Sequence, residues 1–362
     1  MNNGTNTLPQ GGRRERRRSA AALRCGALLS WLLLAAACSK EPTAELPSGE
    51  TETVALNLSA YITAGAQLQS RAIVSGNKFP SDNKTYPVGM WVCSHEDTPT
   101  AFTPAMLGYD NLLASLGVEA INENEWRDIW EYTFGGTKHD MLSVQRNEAV
   151  DIYAYYPYTA SASDPTAVPF TTGDTDWMWA KPVELAASQL SGSSVEAPLQ
   201  FSHAMTCLRV RIVCKYSGNV QLTSMTLTDT EGRLYTAGSM NIVENKLNLS
   251  EADKTGELKL TYADKTVTTS FKDFYILMPP VADYEDGQFE LSFVFNNIAA
   301  QTTFKIPNTM TSPDASGGTV MITAFEAGKR YTYNLTLDNT MTFEPIGIDD
   351  EWITVDDIEM EL

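Results

Sequence analysis

The sequence predicts an all-β chain built as a β-sandwich or barrel, and three observations carry that reading. Short runs in which apolar and polar residues alternate recur from residue 52 to residue 338. Such alternation sends one set of side chains to each face of a half-buried strand. Gly, Pro, Asn and Asp punctuate the runs, as tight turns between strands require, and helical periodicity is sparse.

Residues 1–37 read as an address. Six arginines lie between Arg13 and Arg24, and the apolar run "GALLSWLLLAAAC" then ends at Cys38. A basic region, a short apolar core and small residues before the cut define a secretory signal, and the run is too short for a spanning helix. Small residues directly before a cysteine suit lipoprotein signal peptidase, so Cys38 is a candidate lipidated N-terminus. Ala35 stands where leucine is commoner, and the alternative is an ordinary cut near Ala37. Residues 38–52, small, polar and Pro-containing, read as a tether.

The first core strand follows. Val54, Leu56, Leu58, Ala60 and Ile62 alternate with polar neighbours. Arg71 comes soon after, the only arginine between Cys38 and Arg127, and is a candidate site for proteolysis. Further strand runs are "TYPVGMWVC" (85–93), "AVDIYAYYPY" (149–158), "TCLRVRIVCKY" (206–216), "VQLTSMTLTD" (220–229), "GELKLTY" (256–262), "DFYILMPP" (273–280), "GQFELSFVF" (287–295) and "KRYTYNLTLD" (329–338). In "CLRVRIVC", Leu208, Val210, Ile212 and Cys214 share one face, and Cys207 points away from it.

Helix is expected in one place. "TPAMLGYDNLLASLG" (103–117) opens on a Thr-Pro start signal, and "NENEWRDIWEY" (122–132) follows it; together they read as a small helical insertion in the first domain. The segment 189–198 reads as the interdomain break, giving domains at 53–198 and 199–362. About 325 residues after the leader are enough for two domains of ordinary size.

The charge excludes one class of partner. The chain carries 26 Lys and Arg against 45 Asp and Glu, a net charge of −19. Six of those arginines belong to the leader, so the remainder is more acidic still. Nucleic acid needs a basic surface and is excluded as a partner. Beyond Cys38 only Cys93, Cys207 and Cys214 remain, so stability rests on cores rather than a disulfide framework.

No motif of catalysis or metal binding stands out. His95, His139 and His203 are scattered, and HExxH, CxxC, GxSxG and Gly-rich phosphate loops are lacking. No catalytic residue, metal ligand or cofactor is assigned. The acidic loops at 283–288 and 349–352 lack EF-hand spacing and read as solvated. Trp126, Trp130, Trp177 and Trp179 admit two readings: tryptophans packed in cores, or a platform for stacking sugars.

The C-terminus ends on alternating apolar residues. Ile353 and Val355 share one parity; Ile358, Met360 and Leu362 share the other. Residues 352–362 read either as a strand available for donation to another molecule or as the final strand of the second domain.

Taken in order, the lipobox-like Cys38, the early strand followed by "SRA", "YAYYPY", "DWMWA", "FSHAMTCLRVRI" and "FEAGKRYTYNLTL" with a late Trp352 resemble the fimbrillin family, the type V pilins of Bacteroidetes fimbriae. The resemblance implies two transthyretin-like, Greek-key β-sandwich domains. It also implies export as a lipoprotein with lipid on Cys38, then a cut between Arg71 and Ala72 that frees the strand from Val54 to Ile62. A strand from another subunit would fill the groove and build a homo- or hetero-polymer at the outer membrane and in the extracellular fimbria. The membrane contact is through the lipid before processing, and a host protein or glycan is the implied adhesion target. Two rival readings are a tip adhesin and a surface lipoprotein that binds glycans through its tryptophans.

Overall fold

The computed structural model describes residues 52–62, 79, 85–94, 102–106, 108–122, 125–146, 148–216, 220–296, 302–311, 318–338 and 341–349. Eleven strands make up the first part: β1 (Thr53–Ile62), β2 (Thr85–Ser94), β3 (Leu112–Asn122), β4 (Glu125–Phe134), β5 (Thr137–His139), β6 (Leu142–Gln145), β7 (Val150–Tyr156), β8 (Val168–Thr171), β9 (Met178–Ala180), β10 (Val183–Leu185) and β11 (Ser194–His203). All but β8 join one sheet in the order β5-β4-β3-β2-β7-β9-β11-β1-β6, with β10 paired to β7. The sheet curls over a single core, so that side chains of β4 reach the edge of β1.

The second part continues with β12 (Thr206–Cys214), β13 (Val220–Asp229), β14 (Leu234–Tyr235), β15 (Ala237–Asn241), β16 (Lys246–Asn248), β17 (Lys254–Thr255), β18 (Glu257–Val267), β19 (Lys272–Met278) and β20 (Phe289–Phe295). It ends with β21 (Thr302–Lys305), β22 (Thr309–Thr311), β23 (Thr319–Met321), β24 (Arg330–Leu337) and β25 (Thr342–Asp349). Two four-stranded sheets, β19-β12-β24-β25 and β18-β13-β20-β21, enclose a second core. Sheet-on-sheet packing of this kind is the sandwich expected from the alternating runs.

A third apolar layer explains the strands that read as nearly continuous apolar runs. In β7, Val150, Ile152 and Ala154 face the first core, while Tyr153 and Tyr155 enter this layer. In β19, Phe274, Ile276 and Met278 face the second core, while Tyr275 and Leu277 enter it. Strands buried on both faces lose the apolar–polar alternation. Cys207 lies in this layer and Cys214 in the second core, on opposite sides of β12 as their spacing required.

The expected helical insertion is instead a β-hairpin. Residues 112–122 form β3, and β4 covers most of the second expected helix. Leu112, Ala114, Leu116 and Val118 are buried at every second position, the period of a strand. Upstream, Gly108 at φ +95° and Asn111 at φ +48° take left-handed conformations that interrupt any helix starting at Thr103. The turn from β4 to β5 uses Gly135 and Gly136, both at positive φ, the conformation that two-residue hairpins favour.

The segment read as the interdomain break is partly strand. β11 starts at Ser194 and runs across the expected boundary at residues 198 and 199, and its Leu199 and Phe201 belong to the first core. The side chains change core after Phe201: Ala204 and Met205 are in the middle layer, and Leu208 is in the second core.

Candidate functional site

The candidate site is the seat occupied by β1. Ala55, Leu56 and the residues to Ile62 pair in parallel with β11, from Ala55 opposite Ser194 to Ile62 opposite Phe201. On its other side β1 pairs antiparallel with β6 over only four residues, Thr53 to Leu56. The strand therefore lies inside the sheet along its first half and meets side chains along its second.

Val54, Leu56, Leu58, Ala60 and Ile62 all face the first core and are at most 9% exposed. Burying each of the four larger side chains is worth about 1.5–3 kcal/mol, so their gross contribution is about 6–12 kcal/mol. Vacating the seat would open an apolar groove with unpaired backbone on β11, a surface that another strand can complete.

Two side chains of β4 meet the edge of β1 beyond β6. The Trp130 indole Nε1 donates to the Leu58 carbonyl at 3.1 Å, and the Ala60 N–H donates to Asp128 Oδ2 at 2.7 Å. The edge of β6 is handled in a similar way. The Tyr109 hydroxyl accepts from the Ser143 N–H at 3.0 Å and donates to the Ser143 carbonyl at 3.1 Å. Asp128 and Trp130 were not singled out as a pair from sequence. The available signal was an acidic residue on the same parity as Trp130 and Tyr132 in "WRDIWEY".

Other sequence-predicted positions divide plainly. Cys38, Arg71, Ala72, Ile353, Val355, Ile358, Met360 and Leu362 lie outside the described residues, as do His95 and Trp352. Trp130, Trp177 and Trp179 do not assemble into one platform. Trp130 packs in the first core, Trp177 and Trp179 pack in the middle layer, and all three are at most 9% exposed. β9 is buried on both faces: Trp179 enters the middle layer while Met178 and Ala180 fill the first core on its other side.

The polar groups serve the framework. His203 Nδ1 and Asp176 Oδ1 are 3.0 Å apart and both buried, at the passage from β11 to β12. His139 stacks on Phe134 with 3.8 Å between ring centroids. In the acidic loop at 283–288, the Asp283 carbonyl accepts from Arg233 Nη1 at 3.0 Å and Asp286 Oδ1 accepts from the Asn308 N–H at 2.9 Å. Among the described residues no cluster of three or more His, Cys, Asp or Glu forms a metal site. Among them, too, no helix is long and apolar enough to cross a membrane. Burial, with Asp110 and Asp151 nearby, pushes the Cys93 thiol up to about 12.

Comparison with known proteins matches this fold to a family. The fimbrillin-like family profile matches residues 120–350, and the chain belongs to that family. Among solved structures, a candidate cell adhesion protein from Bacteroides uniformis aligns at a TM-score of 0.51 and 16% identity, covering 83% of this chain and 98% of its own. Another from Bacteroides ovatus aligns at 0.51 and 18%, with the same coverage. At these identities the likeness speaks for the fold alone. A search of curated proteins gave no significant match.

Proposed function

We infer that the chain is a structural subunit of a cell-surface fimbria with a role in adhesion, and that it polymerises by strand exchange at β1. Export as a lipoprotein through Cys38 places it at the outer membrane. A cut between Arg71 and Ala72 then frees β1, and a strand of another subunit takes its place. The observation that carries this reading is the burial of all five alternating residues of β1 on one face of the core, in a strand that precedes the rest of the fold. Family membership supports the fimbrial part; the adhesive part is carried over by analogy with the adhesion proteins that share the fold. Burial of Trp130, Trp177 and Trp179 removes the main support for a glycan-stacking surface.

The test is limited digestion of the lipid-free chain with an Arg-specific protease. One main cut after Arg71 is expected, followed by oligomers that resist mild denaturation, while Arg71→Ala stays monomeric. A clean cut that leaves monomers only, or cutting spread over many arginines, overturns the reading.

A further inference from the structure

The seat of β1 recognises main chain as well as apolar side chains. Successive residues of a strand turn their N–H and C=O groups to opposite edges. The Ala55 N–H donates to the Ser193 carbonyl on the β11 side at 3.0 Å. Residues of the other parity, among them Leu58 and Ala60, therefore turn toward the β6 side. There β6 ends opposite Leu56, and Leu58 and Ala60 follow, with the Leu58 carbonyl and the Ala60 N–H as consecutive groups along that edge. Trp130 Nε1 and Asp128 Oδ2 meet those two groups. An indole N–H and a carboxylate thus stand where a neighbouring strand would place one donor and one acceptor.

We propose that Asp128 and Trp130 are specificity-determining residues for the strand that enters this seat from a second copy of the chain. The proposal rests on the exchange reading above and adds what the seat requires of the newcomer. Neither contact reads a side chain. The newcomer must present a free carbonyl to Trp130 and, two residues later, a free N–H to Asp128. Proline is excluded at the second position because it lacks the N–H. A slip by one residue turns both groups toward β11 and sends every apolar side chain out of the core. The clamp and the apolar alternation therefore select the same parity, while side chains on the outward face stay free to vary.

The probe is a fluorescent peptide of residues 53–62, added to the Arg-protease-cleaved chain. A second peptide carries an ester in place of the Ser59–Ala60 amide, which removes that N–H and also weakens the Ser59 carbonyl as an acceptor on the β11 side. Wild-type protein should bind the ester roughly tenfold more weakly, as loss of a hydrogen bond to a charged acceptor predicts. In Asp128→Ala the ester penalty should shrink to the share due to the weaker Ser59 carbonyl. Trp130→Phe should release the native peptide faster, and it serves alone if Asp128→Ala does not fold. Equal binding of amide and ester to wild type, or an equal ester penalty in Asp128→Ala, overturns the clamp and leaves strand exchange standing. Trp130→Phe with an unchanged release rate counts the same way. Cleaved wild type that neither binds the native peptide nor forms oligomers overturns strand exchange itself, and the clamp with it.

Discussion

Gly89 lies beneath the ring of Tyr155, its partner across β2 and β7: a Cβ at Gly89 would stand 2.0 Å from Tyr155 Cε1. The ring has little room to swing aside. Its hydroxyl lies 2.9 Å from Asn111 Oδ1 and 3.0 Å from the Thr159 carbonyl, with one proton to donate to either, and accepts from the Thr159 N–H at 3.1 Å. Gly89→Ala should therefore cost at least about 1–3 kcal/mol through overpacking. Chemical denaturation compared with wild type checks it, and an unchanged midpoint would show that the ring relocates freely.

Leu56 is almost fully buried in the middle of β1. Leu56→Ala should destabilise the uncut chain by about 2–5 kcal/mol, the usual range for a buried leucine truncation. Once β1 has been cut away and replaced, the same substitution should have no effect on oligomer stability. Denaturation of the two forms side by side separates these cases; equal losses in both would mean that β1 never leaves.

The Asp229 carboxylate illustrates how pH enters stability. Burial alone would push its pKa up, but this is outweighed by hydrogen bonds from the Arg233 side chain and from the backbone N–H groups of Arg233 and Glu231, so the carboxyl lies below its ordinary value of 3.8. A lowered native pKa adds stability that is complete above the ordinary value and lost as pH falls through the native one. Asp229→Asn should lose about 1.5–3 kcal/mol at neutral pH, with the gap to wild type closing in acid below that value. Unfolding curves from about pH 7 to about pH 2 provide the check; a gap that stays constant would exclude the carboxylate charge as its source.

Cys93 should behave as an inert core residue. With a pKa near 12, only roughly one thiol in ten thousand is thiolate at pH 8, and the thiolate is the reactive form. Iodoacetamide at that pH should leave Cys93 unlabelled in the native chain and label it in denaturant. Mass spectrometry of the tryptic peptides distinguishes the two states, and rapid native labelling would show that the middle layer opens.

The sequence made strands visible wherever one face is buried and the other is wet. β1 alternates cleanly, as does β12 from Leu208 to Ile212, and the residue sets read from both are those found in the cores; β13 changes parity at a register shift between Leu222 and Ser224. It misled where strand and helix patterns overlap. Leu112, Leu113 and Leu116 have helical spacing on paper, but only Leu112 and Leu116 are buried, with Ala114 and Val118 completing the period of two. Ser194–Pro198 looked like a linker because small and polar residues dominate it, yet parallel pairing with β1 makes it strand. The Asp128–Trp130 clamp left little local trace, because it depends on the sheet curling until β4 meets an edge some 70 residues earlier in the chain. The positions proposed for processing and donation rest on sequence and family resemblance, since they lie outside the described residues.

β11 has a mechanical consequence. It holds the seated strand along eight parallel residue pairs and then passes through buried Ala204 and Met205 into β12, the strand flanked by β19 and β24 in the second sandwich. Tension along a strand in that seat loads the eight pairs together in shear rather than unzipping them one at a time. The load then enters the interior of the next sheet through a two-residue bridge too short to pay out slack. A partner strand held in that seat, as proposed above, would have to break its eight pairs together rather than in sequence.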